Sequence, residues 1–152
     1  MIPLEQTENL SKLAINSCIS TLQSLGVELE EKDSVDLPSN SVRIQIEFIG
    51  EIKGYIILET SPDMACKLAN ILLAGMMTVS EVDDMTKSVL AEICNMVSGN
   101  LATMIANLGF KSDIKPPALT VVDKPLPANK GSSLHYISSD GDVINTYFLR
   151  VA

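Results

Sequence analysis

The 152-residue chain is 46% apolar, carries a formal net charge of −8, and contains seven prolines, eight glycines and no tryptophan. That length and apolar content suit one globular domain with an ordinary hydrophobic core, and the absence of any basic run argues against nucleic acid or an anionic membrane surface as partner. With a single histidine, His135, and no paired cysteines, histidine-based zinc sites and most triad hydrolase chemistry are closed off.

The N-terminal segment "MIPLEQTENL" lacks a basic run followed by an apolar one, and the apolar stretch "ANILLAGMM" is too short to cross a bilayer, so the chain reads as cytosolic. A first amphipathic helix is expected from about Thr7 to Leu25, ending at Gly26, with Leu10, Leu13, Ala14, Cys18, Leu22 and Leu25 on its inner face. The charged "VELEEKDSVDLPSN" reads as an edge strand and then a loop. In "SVRIQIEFIG", Val42, Ile44, Ile46 and Phe48 alternate with Arg43, Gln45 and Glu47, the period of a half-buried strand. A turn at Gly50-Glu51 leads into "IKGYIILET", making an antiparallel hairpin.

Ser61 and Pro62 supply the N-cap and first position of a helix that closes on Gly75. Thr78 with Glu81, followed by Asp83 and Asp84, predicts the start of a long helix running from about Ser80 to Leu108, with Gly109 as its stop. "PPALTVVD" is expected to be a short strand and "KPLPANKG" a loop. A final hairpin turns at Asp140-Gly141, a type I′ signal, with His135 half-exposed in its first strand. A cation held by Asp140 and Asp142 is the weaker alternative, because two carboxylates make a poor calcium site. Cys18, Cys66 and Cys94 sit in apolar helical patterns and read as small core residues. The layout is α+β: one mainly antiparallel sheet packed against a long helix and two further helices, with no domain boundary.

The long helix contains "SVLAEICNMVSGN", Ser88 to Asn100, where Asn95, Ser98, Gly99 and Asn100 are all poor helix formers. At 100° per residue, Leu90, Ile93, Cys94, Val97, Leu101, Met104, Ile105 and Leu108 form the inner face. Ser88, Glu92 and Asn95 fall opposite, at i, i+4 and i+7, and Gly99, Ala102 and Ala106 continue their stripe. The bland reading is a solvated face. The alternative is a docking surface of small residues that presents one carboxylate and one carboxamide.

The pattern Ser88-x3-Glu92-x2-Asn95 resembles the signature of the CheC/CheX family of chemotaxis phosphatases, which also includes FliY-type flagellar-switch proteins. "AEICNMVSGNLATMIANLGFKSDIKPPALTVV" is similar to the CheX branch in particular, and the likeness extends over roughly residues 10–151. Pro117 stands in the place of the signature's closing proline, one residue short of the family spacing. Asn70 in "SPDMACKLANIL" has no Glu three residues before it, so the chain looks single-site, as CheX does.

The resemblance implies a CheC/CheX-like α+β fold and a single phosphatase domain over residues 1–152. It implies hydrolysis of the aspartyl-phosphate on a CheY-type receiver domain. Asn95 would position the attacking water and Glu92 would dock the receiver's lysine, while Ser88, Gly99, Ala102 and Pro117 would contact the substrate. No metal or cofactor is expected on this chain, because the receiver supplies the Mg²⁺. A homodimer is implied as well, with no nucleic acid and no membrane insertion. The competing readings are a non-catalytic receiver-binding or scaffold module related to flagellar-switch proteins, and a structural dimer in which the motif is incidental.

Overall fold

The computed structural model describes residues 4–127 and 132–150; the second half of the expected "KPLPANKG" loop and the last two residues of the chain lie outside them. Helix α1 (Leu4–Ser24) is followed by strands β1 (Leu29–Lys32), β2 (Ser41–Gly50) and β3 (Gly54–Thr60). Helices α2 (Pro62–Leu73) and α3 (Asp84–Asn107) come next, then β4 (Ser112–Ile114), β5 (Ala118–Val122), β6 (Ser132–Ser138) and β7 (Val143–Arg150). The strands form one antiparallel sheet in the order β1-β6-β7-β3-β2, and β4 and β5 share the outer side of β2.

The β2–β3 hairpin is as the alternation predicts, with Val42 opposite Thr60 and Phe48 opposite Gly54. The stretch after α3 differs from expectation. Strand β5 begins after the prolines, but a further short strand, β4, precedes them and pairs Phe48 with Ile114. Lys115 N–H still donates to Glu47 O at 3.0 Å. Pro116 and Pro117 have no N–H to give, so the edge ladder breaks there and resumes at Ala118 opposite Gln45. The proline pair therefore stands out of the ladder beside α3.

All three helices cover one face of the sheet, where Val42, Ile44, Ile46, Phe48, Ile56 and Leu58 meet Leu90, Ile93, Cys94, Val97, Leu101 and Ile105 of α3. On α1 the inner face includes Ile15 and Ile19, while Leu13, expected inside, is 44% exposed. Leu108 is likewise turned out, because the helix has ended and only its last cap lies there. By length and composition α3 is the one described helix able to cross a bilayer, unlike the shorter apolar stretch singled out in the sequence. Its Leu90, Ile93, Cys94, Val97, Leu101 and Ile105 are buried, while Met85 and Met96 are exposed.

Helix α2 begins as expected: Ser61 accepts from Met64 N–H at 3.2 Å, with Pro62 at the first position. It ends in left-handed backbone at Ala74 and Gly75. The start of α3 is a correction. Thr78 and Glu81 do not form a capping box; Asp83 is the N-cap and accepts from Thr86 N–H at 2.9 Å. The reason lies on α2. The Asn70 carboxamide pairs with both backbone groups of Val79, at 2.9 and 2.8 Å, and holds that segment extended.

The far face of the sheet is not simply solvated. Glu59 is 0% exposed and accepts from Arg43 at 2.7 Å and from Leu126 N–H at 2.9 Å, so the chain following β5 is tied across this face. His135 is only 6% exposed, not half-exposed, and its Nδ1 lies 2.6 Å from Asn145 Oδ1 on the neighbouring strand. Beside them burial pushes the Tyr147 hydroxyl up to about 12, with the Glu59 charge adding to the shift. The last hairpin forms where Asp140-Gly141 predicts, but not through a type I′ turn. Only Gly141 has positive φ, and Gly141 N–H bonds Ser138 O while Ser138 N–H bonds Asp142 O. This is a three-residue loop closed by a left-handed glycine. Asp140 and Asp142 both pair with the Lys67 ammonium of α2.

Candidate functional site

One open groove of about 460 Å³ runs along the outer side of α3, against the proline-broken edge of the sheet. Asn95, Ser98, Gly99 and Ala102 form the helix wall; Ser112, Asp113, Ile114, Lys115, Pro116 and Pro117 form the other. Asn95, Gly99, Ala102 and Pro117 are thus brought together. Ser88 and Glu92 are exposed further toward the N-terminus of α3 and do not line the groove. Glu92 lies three residues, a little under one turn, before Asn95, so its side chain stands toward the groove's N-terminal end.

The four unusual residues of "NMVSGN" have separate explanations. Asn100 Nδ2 donates to Thr21 Oγ1 of α1 at 2.8 Å and is a helix-to-helix tie. Gly99 has ordinary helical backbone, and a Cβ built there would meet nothing within 4 Å. The fold itself therefore does not require glycine, which costs roughly 1 kcal/mol in a helix. The carboxamide of Asn95 is engaged by no other described residue. Ser98 Oγ is buried without a hydrogen-bond partner among the described residues.

Of the opposite wall, sequence reading singled out Pro117 and missed the rest. Lys115, whose Nζ lies 3.6 Å from Glu47, and the short strand Ser112–Ile114 carried no periodic signal. The proline pair was the only local cue. No cysteine or histidine lines the groove. Burial pushes the Cys94 thiol, on the inner face of the same helix, up to about 12, which leaves it protonated at neutral pH. Among the described residues no group of three or more His, Cys, Asp or Glu side chains is placed to hold a metal ion. The groove can therefore present an amide, hydroxyls, a lysine and nearby carboxylates, and it offers no side-chain nucleophile of the thiolate or imidazole kind.

The profile of the chemotaxis phosphatase CheX family matches residues 42–135, well over half of the chain. The chain belongs to the CheX family. Solved structures share the fold. The CheX-CheY-BeF3-Mg+2 complex from Borrelia burgdorferi is 20% identical, with a TM-score of 0.67 over 91% of this chain and 98% of that one. CheX from Vibrio vulnificus is 18% identical, with a TM-score of 0.69 over 89% and 95%. FliY from Thermotoga maritima is 17% identical, with a TM-score of 0.64 over 97% and 92%. No curated protein matches the chain. In this CheX-family member the family match spans the whole of α3 and both walls of the groove.

Proposed function

We propose that this CheX-family protein hydrolyses the aspartyl-phosphate of a CheY-type receiver domain in the cytoplasm. The observation that carries the reading is the unengaged carboxamide of Asn95 on the wall of an open groove, in a chain of the chemotaxis phosphatase family. Receiver phosphate is attacked in line by water, and catalysis of such a transfer is chiefly positioning. Asn95 holds that water opposite the leaving aspartate. The water oxygen bonds to phosphorus, the bond to the receiver's aspartate breaks with the pair leaving on the carboxylate, and the water proton passes to the released phosphate. The receiver brings the aspartate and the Mg²⁺.

Glu92 pairs with the receiver's lysine and sets the register of docking, the charge-assisted bond of a carboxylate to an ammonium. Gly99 and Ala102 let the receiver approach the helix, Pro117 forms the facing contact, and Ser88 touches the receiver's rim. The chain functions as a homodimer, for which the exposed edge strand β1 offers an unpaired ladder.

The test is decay of a receiver labelled with acetyl phosphate in Mg²⁺, with wild type or Asn95→Ala added. Wild type accelerates decay, and the variant loses at least about tenfold, near 1.4 kcal/mol of barrier. Equal acceleration by both removes Asn95 from the chemistry. Binding without acceleration makes the protein a receiver-binding module of the flagellar-switch kind.

A further inference from the structure

Resting on that reading, we propose that Ser98 is a positioning residue for Asn95: its hydroxyl accepts a hydrogen bond from Asn95 Nδ2–H and so turns Oδ1 toward the attacking water.

The starting point is an anomaly in the hydrogen-bond pattern of the helices. A helical hydroxyl ordinarily donates to the carbonyl three or four residues back. Thr21 does so to Ser17 O at 2.9 Å, Ser24 to Thr21 O at 2.6 Å and Thr103 to Gly99 O at 3.1 Å. Ser98 does not. Its Oγ is shut off from water and is the one buried side-chain oxygen or nitrogen among the described residues left without a partner. A buried polar group in that state is rare and costly, and a partner gained when the receiver seats would satisfy it. Ser98 lines the same groove as Asn95 and follows it by three residues. Side chains three apart on a helix are neighbours, about 5–6 Å between Cβ atoms, and both lean toward the helix N-terminus. Ser98 leans back toward Asn95, whose amide no other described residue holds, so the two polar groups are neighbours on one wall of the groove.

The chemistry gives that bond a purpose. A carboxamide has an accepting end and a donating end of nearly the same shape. Holding a water with its lone pair toward phosphorus requires the accepting end, Oδ1, to take the water's O–H. With the Nδ2–H tied to an acceptor behind it, the amide cannot present its donor end to the water. While the groove is open, water competes for the Asn95 amide. A seated receiver expels that water, and the Ser98 hydroxyl becomes the available acceptor.

Steady-state dephosphorylation of a Mg²⁺-loaded, phosphorylated receiver tests this with wild type, Ser98→Ala, Ser98→Thr, Asn95→Ala and the double variant. Ser98→Ala lowers kcat about three- to tenfold with KM unchanged. Its melting temperature equals or exceeds that of wild type, because the variant removes an unsatisfied hydroxyl and favours the helix. Ser98→Thr, which keeps the hydroxyl, recovers most of kcat. Adding Ser98→Ala to Asn95→Ala costs nothing further, since Ser98 acts through the amide. Full kcat in Ser98→Ala, or a change confined to KM, overturns the proposal while leaving the role of Asn95 intact. A further loss in the double variant also overturns it, because Ser98 would then act independently. Inactive wild type, or full activity in Asn95→Ala, overturns the parent reading and this one together.

Discussion

Arg43 of β2 and Glu59 of β3 face each other on the side of the sheet away from the helices, 2.7 Å apart, and the carboxylate is wholly enclosed. Leu126 N–H completes the enclosure by donating to the same side chain. Arg43→Met therefore leaves a buried charge without its counter-ion and lowers stability by about 3 kcal/mol in urea unfolding. Arg43→Met with Glu59→Met recovers at least half of that loss. A single variant as stable as wild type would mean that water reaches the carboxylate.

Gly99 separates stability from docking. Gly99→Ala gains up to about 1 kcal/mol, because nothing of the chain's own lies where the new methyl goes. Gly99→Leu keeps the fold but obstructs the groove, so receiver affinity falls at least about tenfold by calorimetry. Unchanged affinity in the Leu variant would move the docking surface elsewhere.

Gly50 tests the other wall. Its φ is +105°, and a Cβ there would lie 2.6 Å from Lys111 O, directly before β4. Gly50→Ala must shift backbone at that point and costs about 2 kcal/mol or more. Amide exchange then rises first in residues 111–117, ahead of the hairpin core.

The cap of α3 confers a pH dependence. The Thr86 N–H, seconded by the Thr86 hydroxyl, holds the Asp83 carboxyl below its ordinary range. A carboxyl depressed in the folded state contributes stability above its unfolded value, and that contribution fades as pH falls through the folded value. Asp83→Ala therefore melts lower than wild type at pH 7, and the gap narrows below about pH 4. Asp83→Asn keeps a cap that does not titrate. A gap independent of pH would exclude the carboxylate as the source.

Removing charge from Glu92 should act on binding before chemistry. Glu92→Gln raises KM for the phosphorylated receiver several-fold and flattens its dependence on salt, with kcat changed less. A selective loss of kcat would instead place Glu92 at the reacting phosphate.

Much of the architecture was legible because it is local. The β2 alternation, the Ser61-Pro62 helix start and the α3 apolar stripe each depend on neighbours within a few residues. Where distant partners decide, reading along the chain failed. The burial of Glu59 depends on Arg43 and Leu126, which lie 16 and 67 residues from it along the chain. Thr78 has cap chemistry, yet Asn70 holds the adjoining residue extended and the helix starts later. His135 needed Asn145 to be buried. On the groove, the helix wall carried its own spacing signal, whereas Ser112–Ile114 is too short to alternate.

Among the described residues strand β1 pairs with β6 alone, Leu29 lying opposite Ser138, so the two are separated by roughly a hundred residues of chain. As the polypeptide leaves the ribosome, β2 and β3 can zip at once, but β1 must wait for nearly everything else. Loop-closure entropy makes such late, distant pairing slow. The edge laid down first in sequence is thus the last to be sealed in time, and a nascent chain shows an incomplete sheet border throughout most of its synthesis.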